Sequence, residues 1–446
     1  AAKVKKARVR NAKSLHIRKS RSSRPENPDL PVLDAWRNTT RPPSSLFVFE
    51  RNPYFHRVDT AGRQLPYVDK VLMSMGSTSL IPAKTGSGES DLQARYIRFD
   101  DYTFLKAAEK RGRIKVNLWE RANGSHIAIV PNLNAADPVW RKLNRDVRFR
   151  RALSLAINRR EINMAIFYGL ARESANTVLP DSPLYKKEYA EAYVAFNLKR
   201  ANELLDAVGL DKRGPDGMRL LPDGRRAEII LEAAGESTEQ ADVLSLVRDT
   251  WAAVGIAMYP RPTQRDLFRK RAASGQTIMT VWSGLDNALL SADFSPDALA
   301  PVSESQLQWP SWGLHAATGG KQGVAPDYAP ARALLDHLEA WRKARTRDAR
   351  LAAWHAMLRI HAEQVFTIGV VNATKQPVAI APNLQNVPER GIFAYEPGGY
   401  FGLYMPDTFW FDASERAGRE GWPTAGDRAD DGTGIAAPTT MTAKAN

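Results

Sequence analysis

The sequence contains no cysteine among its 446 residues. It can therefore form no disulfide, no thiolate metal site and no cysteine nucleophile, and it fits an oxidising compartment. No apolar run approaches the ~20 residues that span a bilayer, and no secretory signal is visible. The chain starts with Ala rather than Met, which indicates processing or an origin in something longer.

Sequence motifs of enzymes are also missing. There is no Gly-x-Ser-x-Gly elbow, no phosphate-binding glycine loop and no His-Glu-x-x-His. We therefore expect no enzymatic activity, no catalytic residue and no cofactor. His355 and His361 are six residues apart, whereas a helical metal site needs two histidines four apart on one face. We expect these two histidines to be structural and predict no metal site.

Most of the excess positive charge lies in one segment. The formal net charge is +14, and residues 1–24 contain ten Lys or Arg and no acidic residue, which leaves 14 − 10 = +4 for the rest. Such an arm could contact nucleic acid or anionic lipid through phosphate groups. It has no aromatic residue to stack on bases, so we expect a solvated tail and no nucleic-acid partner.

Composition predicts irregular structure at both ends of the chain. Five prolines between residues 25 and 45 favour an extended linker, so residues 1–44 form a basic, proline-containing arm and linker. Residues 413–446 are small, polar and rich in glycine, and we expect this tail to be disordered.

The stretch from residue 226 to residue 290 predicts a parallel sheet. Residues 226–233, 256–259 and 277–282 have the composition of strands, and residues 238–254 show helical spacing of apolar side chains. A second helix is expected to begin at Thr263, with Leu267 and Phe268 turned inward. The order strand, helix, strand, helix, strand places helices against parallel strands.

Other helices are predicted on either side of this stretch. Asp146 can cap a helix in which Arg148, Arg150 and Arg151 lie largely off the apolar face. Two amphipathic helices are predicted over residues 329–343 and 347–364. Between residues 301 and 330 we expect a loop in which Trp309 and Trp312 are exposed.

Polar side chains follow the third predicted strand. Parallel sheets bind ligands beyond the carboxyl ends of their strands. Here Trp282, Ser283, Asp286 and Asn287 would reach that rim together. The alternative is ordinary turn chemistry, with Trp282 in the core and Asp286 capping a helix.

Five segments, taken in order, resemble the family 5 solute-binding proteins of ABC importers, the peptide, dipeptide and nickel group. Residues 51–54 match the family's Asn-Pro-Tyr turn, residues 64–69 follow as in its larger members, and residues 88–91 match its Gly-Glu-x-Asp element. Residues 146–159 resemble its helix ending in Ala-Ile-Asp/Asn-Arg, and residues 201–209 its next marker helix. The similarity spans roughly residues 45 to 412.

The resemblance implies a mixed α/β fold of the class II periplasmic-binding-protein type, with two lobes and a hinge. Lobe I would comprise residues 45–140 and 380–412, and lobe III residues 141–379. Family members have a long portion before the Asn-Pro-Tyr turn, whereas about fifty residues precede it here. We therefore expect a truncated gene product or a fragment, an incomplete N-terminal lobe, and poor ligand binding by this chain alone.

The resemblance also implies roles for particular residues. In oligopeptide-binding members an Asp after the corresponding strand pairs with the ligand's α-amino group, and Asp286 lies at the matching place. The Asn-Glu-Pro that often follows is Asn-Ala-Leu in residues 287–289, a departure that bears on recognition of a peptide backbone. The predicted ligand-binding residues are Asp286, Trp282, Ser283, Asn287, Trp309, Trp312 and Tyr400.

The function predicted in this way is binding of a peptide-like solute for delivery to the permease subunits of an ABC importer, by a periplasmic monomer. An oligosaccharide is the alternative solute, because the segment from residue 58 to residue 67 resembles larger members that include oligosaccharide binders. A ligand-sensing regulatory module is a second alternative, indicated only by the basic arm.

Overall fold

The computed structural model describes residues 2–19, 27–235, 237–412 and 441–444. Within the described residues the chain divides into two units. The first comprises residues 1–119, 376–391 and 398–446, and the second residues 120–375 and 392–397. Each unit is described by itself below.

The helices, in chain order, are α1 (Ala2–Lys6), α2 (Ala12–Arg18), α3 (Ile81–Gly86), α4 (Tyr102–Glu109), α5 (Pro138–Arg145), α6 (Val147–Leu155), α7 (Arg159–Phe167), α8 (Lys187–Ala190), α9 (Leu198–Ala207), α10 (Thr238–Ala253), α11 (Arg265–Ala273), α12 (Pro310–Ala317), α13 (Ala329–Lys343) and α14 (Arg347–Gln364). Short 3₁₀ helices span Thr78–Leu80, Asp297–Leu299, Gly402–Tyr404 and Pro406–Thr408.

The strands, in chain order, are β1 (Trp36–Asn38), β2 (Leu46–Arg51), β3 (Lys70–Ser74), β4 (Leu92–Gln93), β5 (Lys115–Arg121), β6 (Ala128–Pro131), β7 (Arg172–Glu173), β8 (Glu228–Ala233), β9 (Ala257–Pro262), β10 (Met279–Trp282), β11 (Ile368–Gly369), β12 (Val371–Asn372), β13 (Lys375–Ile380), β14 (Leu384–Gln385), β15 (Ile392–Phe393), β16 (Trp410–Phe411) and β17 (Met441–Lys444). Two of the four boundaries between the units fall within strands, one in β5 and one in β13.

The second unit contains the predicted parallel sheet, in the order β11-β6-β10-β8-β9. β8 pairs in parallel with β9 and with β10. Helices α10 and α11 form the crossover connections in this stretch, which parallel strands need. β6 pairs antiparallel with β10, so Met279 lies opposite Pro131 on one side and opposite Leu231 on the other. The predicted order of strands and helices in this stretch is confirmed.

Apolar side chains of this sheet and its helices form a continuous core. Trp251 of α10 is fully buried, and its indole N–H donates to the Leu153 carbonyl of α6 at 3.1 Å. Phe149 of α6 is likewise fully buried. Asp146 caps α6 by accepting from the Arg148 amide, as predicted. Gly255 follows α10 with φ at +84°, a conformation that glycine adopts without strain.

Three details of these helices differ from prediction. The cap of α11 is Gln264 rather than Thr263, because the Gln264 amide oxygen accepts from the Asp266 and Leu267 amides. Phe268 is buried as expected, but Leu267 is 51% exposed. Arg150 is fully buried rather than off the apolar face.

The burial of Arg150 has a simple cause. Its guanidinium donates to the Gln364 carbonyl at 2.8 Å and to the Asn144 carbonyl at 2.5 Å, so peptide oxygens replace its hydration. Gln364 and Asn144 lie at the ends of α14 and α5. The spacing of apolar residues in the helix after Asp146 cannot predict these contacts with other helices.

Trp309 and Trp312 are buried rather than exposed, so the prediction of an exposed loop is wrong here. The chain forms helix α12 from Pro310, and both indoles are 0% exposed in a core with α13 and α14. Trp309 donates to the Gln306 amide oxygen at 3.1 Å, and the Trp312 ring stacks on Tyr328 at 6.3 Å. The spacing of the two tryptophans does not reveal this core, which distant helices complete.

His361 lies against the same core. Its Nε2 donates to the Leu299 carbonyl at 2.7 Å, and its ring meets Phe366 edge-on at 5.3 Å. Desolvation by burial lowers the pKa of His361 to about 4, so the ring is neutral at ordinary pH. This arrangement agrees with the structural role predicted for His361.

The first unit contains an antiparallel sheet, in the order β1-β2-β3-β17. β1 lies within the stretch predicted to be a linker, and its Trp36 donates to the Val68 carbonyl at 2.8 Å. The basic arm, which we expected to be a solvated tail, contains α1 and α2. The predicted disordered tail falls largely outside the described residues, except β17, which pairs with β3.

Within the part of the chain that the structure describes, none of the helices combines the length and apolarity needed to cross a bilayer.

Candidate functional site

Four of the seven predicted site residues lie in one loop of the second unit. Trp282 is the last residue of β10, and Ser283, Asp286 and Asn287 follow it directly. The carboxyl end of a parallel strand therefore presents an indole, a hydroxyl, a carboxylate and an amide in sequence. Of the other three, Trp309 and Trp312 lie in the core described above, so a ligand has no access to their indoles in this structure.

Tyr400, the seventh predicted residue, belongs to the first unit. Its φ is +70°, and the Arg95 guanidinium carbon lies 5.9 Å from its ring centroid. The role of Tyr400 as a ligand-binding residue stays a prediction.

Backbone hydrogen bonds anchor the loop on both sides of Gly284. The Gly284 amide donates to the Ser125 carbonyl at 2.8 Å, and the Gly124 amide donates to the Leu285 carbonyl at 2.8 Å. The Leu285 amide donates to Oδ1 of Asn176 at 2.9 Å. The loop is thus fixed to the segment before β6 and to a residue more than a hundred positions away in the chain.

Asn176 is a positioning residue that the sequence did not reveal. Its Nδ2 donates to Thr367 at 2.8 Å while its Oδ1 holds the Leu285 amide, so one side chain joins three segments. No local sequence motif identifies Asn176, because its partners Leu285 and Thr367 are 109 and 191 positions away in the chain.

The close approach of Asn176 explains the glycine in this loop. A Cβ added at Gly284 would lie 2.1 Å from Asn176 Oδ1 and 2.7 Å from the Ser125 amide nitrogen. Both distances are below any van der Waals contact, and the second involves backbone that cannot move aside cheaply.

We predict that Gly284→Ala lowers the free energy of unfolding by about 1–3 kcal/mol, since overpacking forces a backbone shift. The displaced loop should also weaken binding of any solute that contacts Asp286. Urea denaturation measures the first effect, and Gly402→Ala is the matched control, because nothing lies within 4 Å of a Cβ there. Equal stability of the two variants would contradict the steric argument.

Asp286 does not cap a helix. No helix begins in residues 287–296, all of which the structure describes, so the alternative interpretation of this carboxylate is excluded. The residue is exposed overall, although surrounding protein partly shields its carboxyl group, and the Ser283 hydroxyl donates to that carboxyl across 3.5 Å. Asn287, by contrast, accepts from the Leu289 amide at 3.0 Å, which is ordinary turn chemistry.

Surrounding protein alters the acidity of Asp286. Desolvation by burial and, second, the negative charge of Glu396 raise the pKa of this carboxyl, while the bond from Ser283 opposes the change. Glu396 lies in the short segment of residues 392–397 that belongs to the same unit. A second carboxylate near Asp286 makes the region attractive to a cation.

Trp282 is half-buried against helix α11. Its ring stacks on Phe268 with centroids 5.9 Å apart and planes at 13°. The interpretation of Trp282 as pure core is therefore incomplete, because the indole has both a packed side and an accessible one.

Comparison with known proteins gives the family. The model of the bacterial extracellular solute-binding proteins, family 5 Middle, matches residues 11–304, more than half of the chain. The chain belongs to this family, which confirms the resemblance seen in the sequence.

Sequence relatives include binders of different solutes. The chain is similar to the periplasmic alpha-galactoside-binding protein of Rhizobium meliloti, 26% identical over 219 residues, with 46% of this chain and 31% of that protein covered. It is also similar to a putative ABC transporter peptide-binding protein of Brucella ovis, 30% identical over 158 residues, covering 34% and 27%. The chain thus spans about a third of the length of the curated relatives it matches.

Solved structures show the same fold. The oligopeptide-binding protein OppA matches with a TM-score of 0.59 and 31% identity, over 90% of this chain and 65% of that one. The binding protein MelB of Agrobacterium fabrum C58, in complex with stachyose, matches with a TM-score of 0.70 and 20% identity, over 90% and 60%. The mixed α/β fold of the periplasmic binding proteins, predicted from the sequence, is confirmed.

Proposed function

We propose that this chain is the solute-binding component of an ABC importer and holds a peptide-like solute for delivery to membrane permease subunits. The two units would be the lobes that the resemblance implies, and the protein would act outside the cytoplasm, by binding rather than by catalysis. Family membership supports the class of function.

The observation that carries the peptide proposal is the carboxylate of Asp286, exposed at the carboxyl end of β10 with Glu396 near it. An ammonium group placed there would meet two negative charges, and the Coulomb attraction would favour the ionised form of Asp286. A free peptide provides such a group at its N-terminus.

We predict that Asp286→Asn weakens binding of a peptide with a free N-terminus by roughly 1.5–3 kcal/mol, the contribution of a hydrogen bond to a charged group. Because the pKa of Asp286 is raised in the free protein, affinity should also fall as the pH drops through that pKa, and the variant should lose this dependence. Calorimetry with a mixed oligopeptide pool, then with single peptides, measures both effects.

Asp336→Asn is the matched control for this experiment, because Asp336 is exposed on α13 and remote in sequence from the loop. Unchanged peptide affinity in Asp286→Asn would remove this carboxylate from the site. A failure of all peptides to bind wild-type protein would contradict the peptide proposal itself.

An oligosaccharide is the second candidate solute. The partly exposed indole of Trp282 at the strand end supports this candidate, since aromatic rings suit the apolar parts of sugars. One relative reported above is named an alpha-galactoside-binding protein, and the structure of another was determined in complex with stachyose. Calorimetry with stachyose, run beside the peptide pool, distinguishes the two proposals by which solute gives saturable heat.

A further inference from the structure

The two short helices of the basic arm, α1 and α2, are joined to each other by side-chain hydrogen bonds. Oδ1 of Asn11 accepts from the Ser14 amide at 2.8 Å where α2 begins. The Arg18 guanidinium at the end of α2 donates to the Ala7 carbonyl, just after α1, at 2.7 Å. Asn27 donates to the Arg18 carbonyl at 3.1 Å. The charges of the arm are therefore held close together rather than spread along an extended chain.

The cations of this helix pair are exposed and are not matched by acids. Val4, Val9 and Leu15 are partly buried, whereas every described Lys and Arg of residues 2–19 is exposed. These exposed cations are Lys3, Lys5, Lys6, Arg8, Arg10, Arg18 and Lys19. Residues 1–24 contain no acidic residue, and in the described part of the chain no carboxylate lies within ion-pair distance of these cations. The helix pair thus presents a concentrated positive surface.

A surface of this kind is suited to a planar array of negative charges. Like charges at this density repel one another, and an anionic surface relieves the repulsion. Each Lys or Arg near an anionic lipid surface increases affinity about fivefold, and the contributions accumulate while the cations stay within a Debye length of that surface. Several cations on one helix pair are therefore enough for binding without a pocket for any single lipid.

We propose that α1 and α2 form a docking surface for an anionic phospholipid bilayer. The arm would keep the protein close to the membrane, so that solute is released near the permease. The choice of lipid over nucleic acid rests on the proposed function, because a protein that delivers solute to permease subunits works beside a bilayer. It is also supported by residues 1–24, which contain no Phe, Tyr or Trp to stack on bases.

Co-flotation of the full chain with lipid vesicles tests this inference. Vesicles of phosphatidylcholine with phosphatidylglycerol provide the anionic surface, and vesicles of phosphatidylcholine alone are the neutral comparison. We expect the protein to float with the anionic vesicles at low salt and to be released as the salt concentration rises, because ions screen exposed charges. Equal flotation with both kinds of vesicle would overturn the docking surface.

The variant Lys3→Gln/Lys5→Gln/Lys6→Gln/Arg8→Gln should weaken binding to anionic vesicles about a hundredfold or more, since each cation accounts for about fivefold. Helix α1 contains no buried residue, and Arg8 is exposed, so these changes leave the core of the protein intact. Replacing the three lysines by arginine instead keeps the charge and should keep the binding. Wild-type affinity in the glutamine variant would contradict the proposal.

A control variant removes the same charge elsewhere. Arg160, Lys199, Lys212 and Lys321 are exposed cations of the second unit, and changing all four to Gln lowers the net charge equally. We expect this control to bind anionic vesicles within a few-fold of wild type, because its cations are scattered. A loss as large as that of the arm variant would show that overall charge, not the arm, governs binding.

Two further measurements separate the possible outcomes. Mixed-sequence duplex DNA, added at the same phosphate concentration as the anionic lipid, should leave the protein on the vesicles, and its displacement by DNA would overturn the choice of lipid. Flotation requires no solute, so the calorimetry described above judges the proposed function independently. Flotation without solute binding would sustain the docking surface and refute the solute-binding proposal, whereas solute binding without flotation would do the reverse.

Discussion

Replacing Arg159 with methionine is expected to lower the free energy of unfolding by about 3–5 kcal/mol, because each buried acceptor left unpaired costs roughly 1–3 kcal/mol. Arg159 is 1% exposed and donates five hydrogen bonds. Two of them go to the Gly369 carbonyl, at 2.9 and 2.7 Å. The others reach the Ser154 carbonyl and hydroxyl and the Val194 carbonyl.

The guanidinium therefore joins α6, α7, β11 and the segment around residue 194, and its five hydrogen bonds go to carbonyl and hydroxyl oxygens. Desolvation lowers the pKa of Arg159 to about 9, so the group stays charged at neutral pH. Methionine fills similar space and donates nothing, so the Gly369 and Val194 carbonyls lose the guanidinium as a donor. Ser154 is less affected, because its carbonyl still accepts from the Ile157 amide at 3.3 Å and its hydroxyl still donates to the Tyr193 carbonyl at 2.8 Å. Lysine restores the charge but not the fork, so we expect an intermediate loss for Arg159→Lys.

Urea denaturation measures this prediction, and the neighbouring Arg160 supplies the control. Arg160 is exposed on the same helix, so Arg160→Met removes an arginine of the same length at little cost. If the two methionine variants differ by less than about 1 kcal/mol, the hydrogen bonds of Arg159 do not contribute as argued.

The second large effect is expected at Glu232, where Glu232→Ala should cost about 3 kcal/mol, the low end for breaking a buried ion pair. Glu232 is 1% exposed in β8, and its oxygens accept from Arg261 at 2.7 Å and from Arg271 at 2.8–3.1 Å. The Glu232 carboxylate in β8 thus connects helix α11 with strands β8 and β9. Both arginines are partly exposed, so water relieves some of the charge left behind.

The pH dependence of this contribution has a definite sign. Desolvation alone would raise the pKa of Glu232, but the hydrogen bonds from Arg271 and Arg261 prevail and lower it. An acid whose pKa is lowered by folding stabilises the native state above its unfolded pKa. We therefore expect the stability difference between wild type and Glu232→Gln to shrink as the pH falls below about 4.5, the ordinary value for Glu.

Glu228→Ala is the control, since Glu228 lies on the same strand and binds Arg226 at 3.0 Å with a side chain that is 39% exposed. An exposed pair of this kind contributes about 0–1 kcal/mol. Chemical denaturation from pH 3 to pH 7 compares the two positions. If substitution of Glu228 lowered the free energy of unfolding as much as substitution of Glu232, the stabilising role argued for the buried carboxylate would be contradicted. A pH-independent loss of stability at Glu232 would contradict it as well.

Local patterns were sufficient for much of the secondary structure. The bounds of α13 and α14 agree with the predicted residues 329–343 and 347–364, because apolar spacing and flanking caps both act within a few turns. The same holds for the end of β10, where Trp282 is the last residue of a strand with typical strand composition and Asp286 lies in the loop after it. The predicted order of strands and helices was enough to place Trp282 and Asp286 at the carboxyl end of β10.

Burial of polar and aromatic side chains was not predictable in this way. Glu228 and Glu232 lie four residues apart on one strand and both form ion pairs, yet the fold buries only Glu232. Arg150 and Arg151 are adjacent and both donate to carbonyls at the end of α14, yet only Arg150 is fully buried. Each outcome depends on partners that are far away in sequence.

The sequence by itself determined the family, the parallel βαβ order and the residue that leads the candidate site, because periodicity, capping and short motifs are encoded within each segment. Only the tertiary structure decided that Trp309 and Trp312 are core and that Asn176 fixes the loop after β10. The physical reason is that desolvation and hydrogen bonding act between segments, so the environment of a side chain is set by elements that the local sequence does not contain.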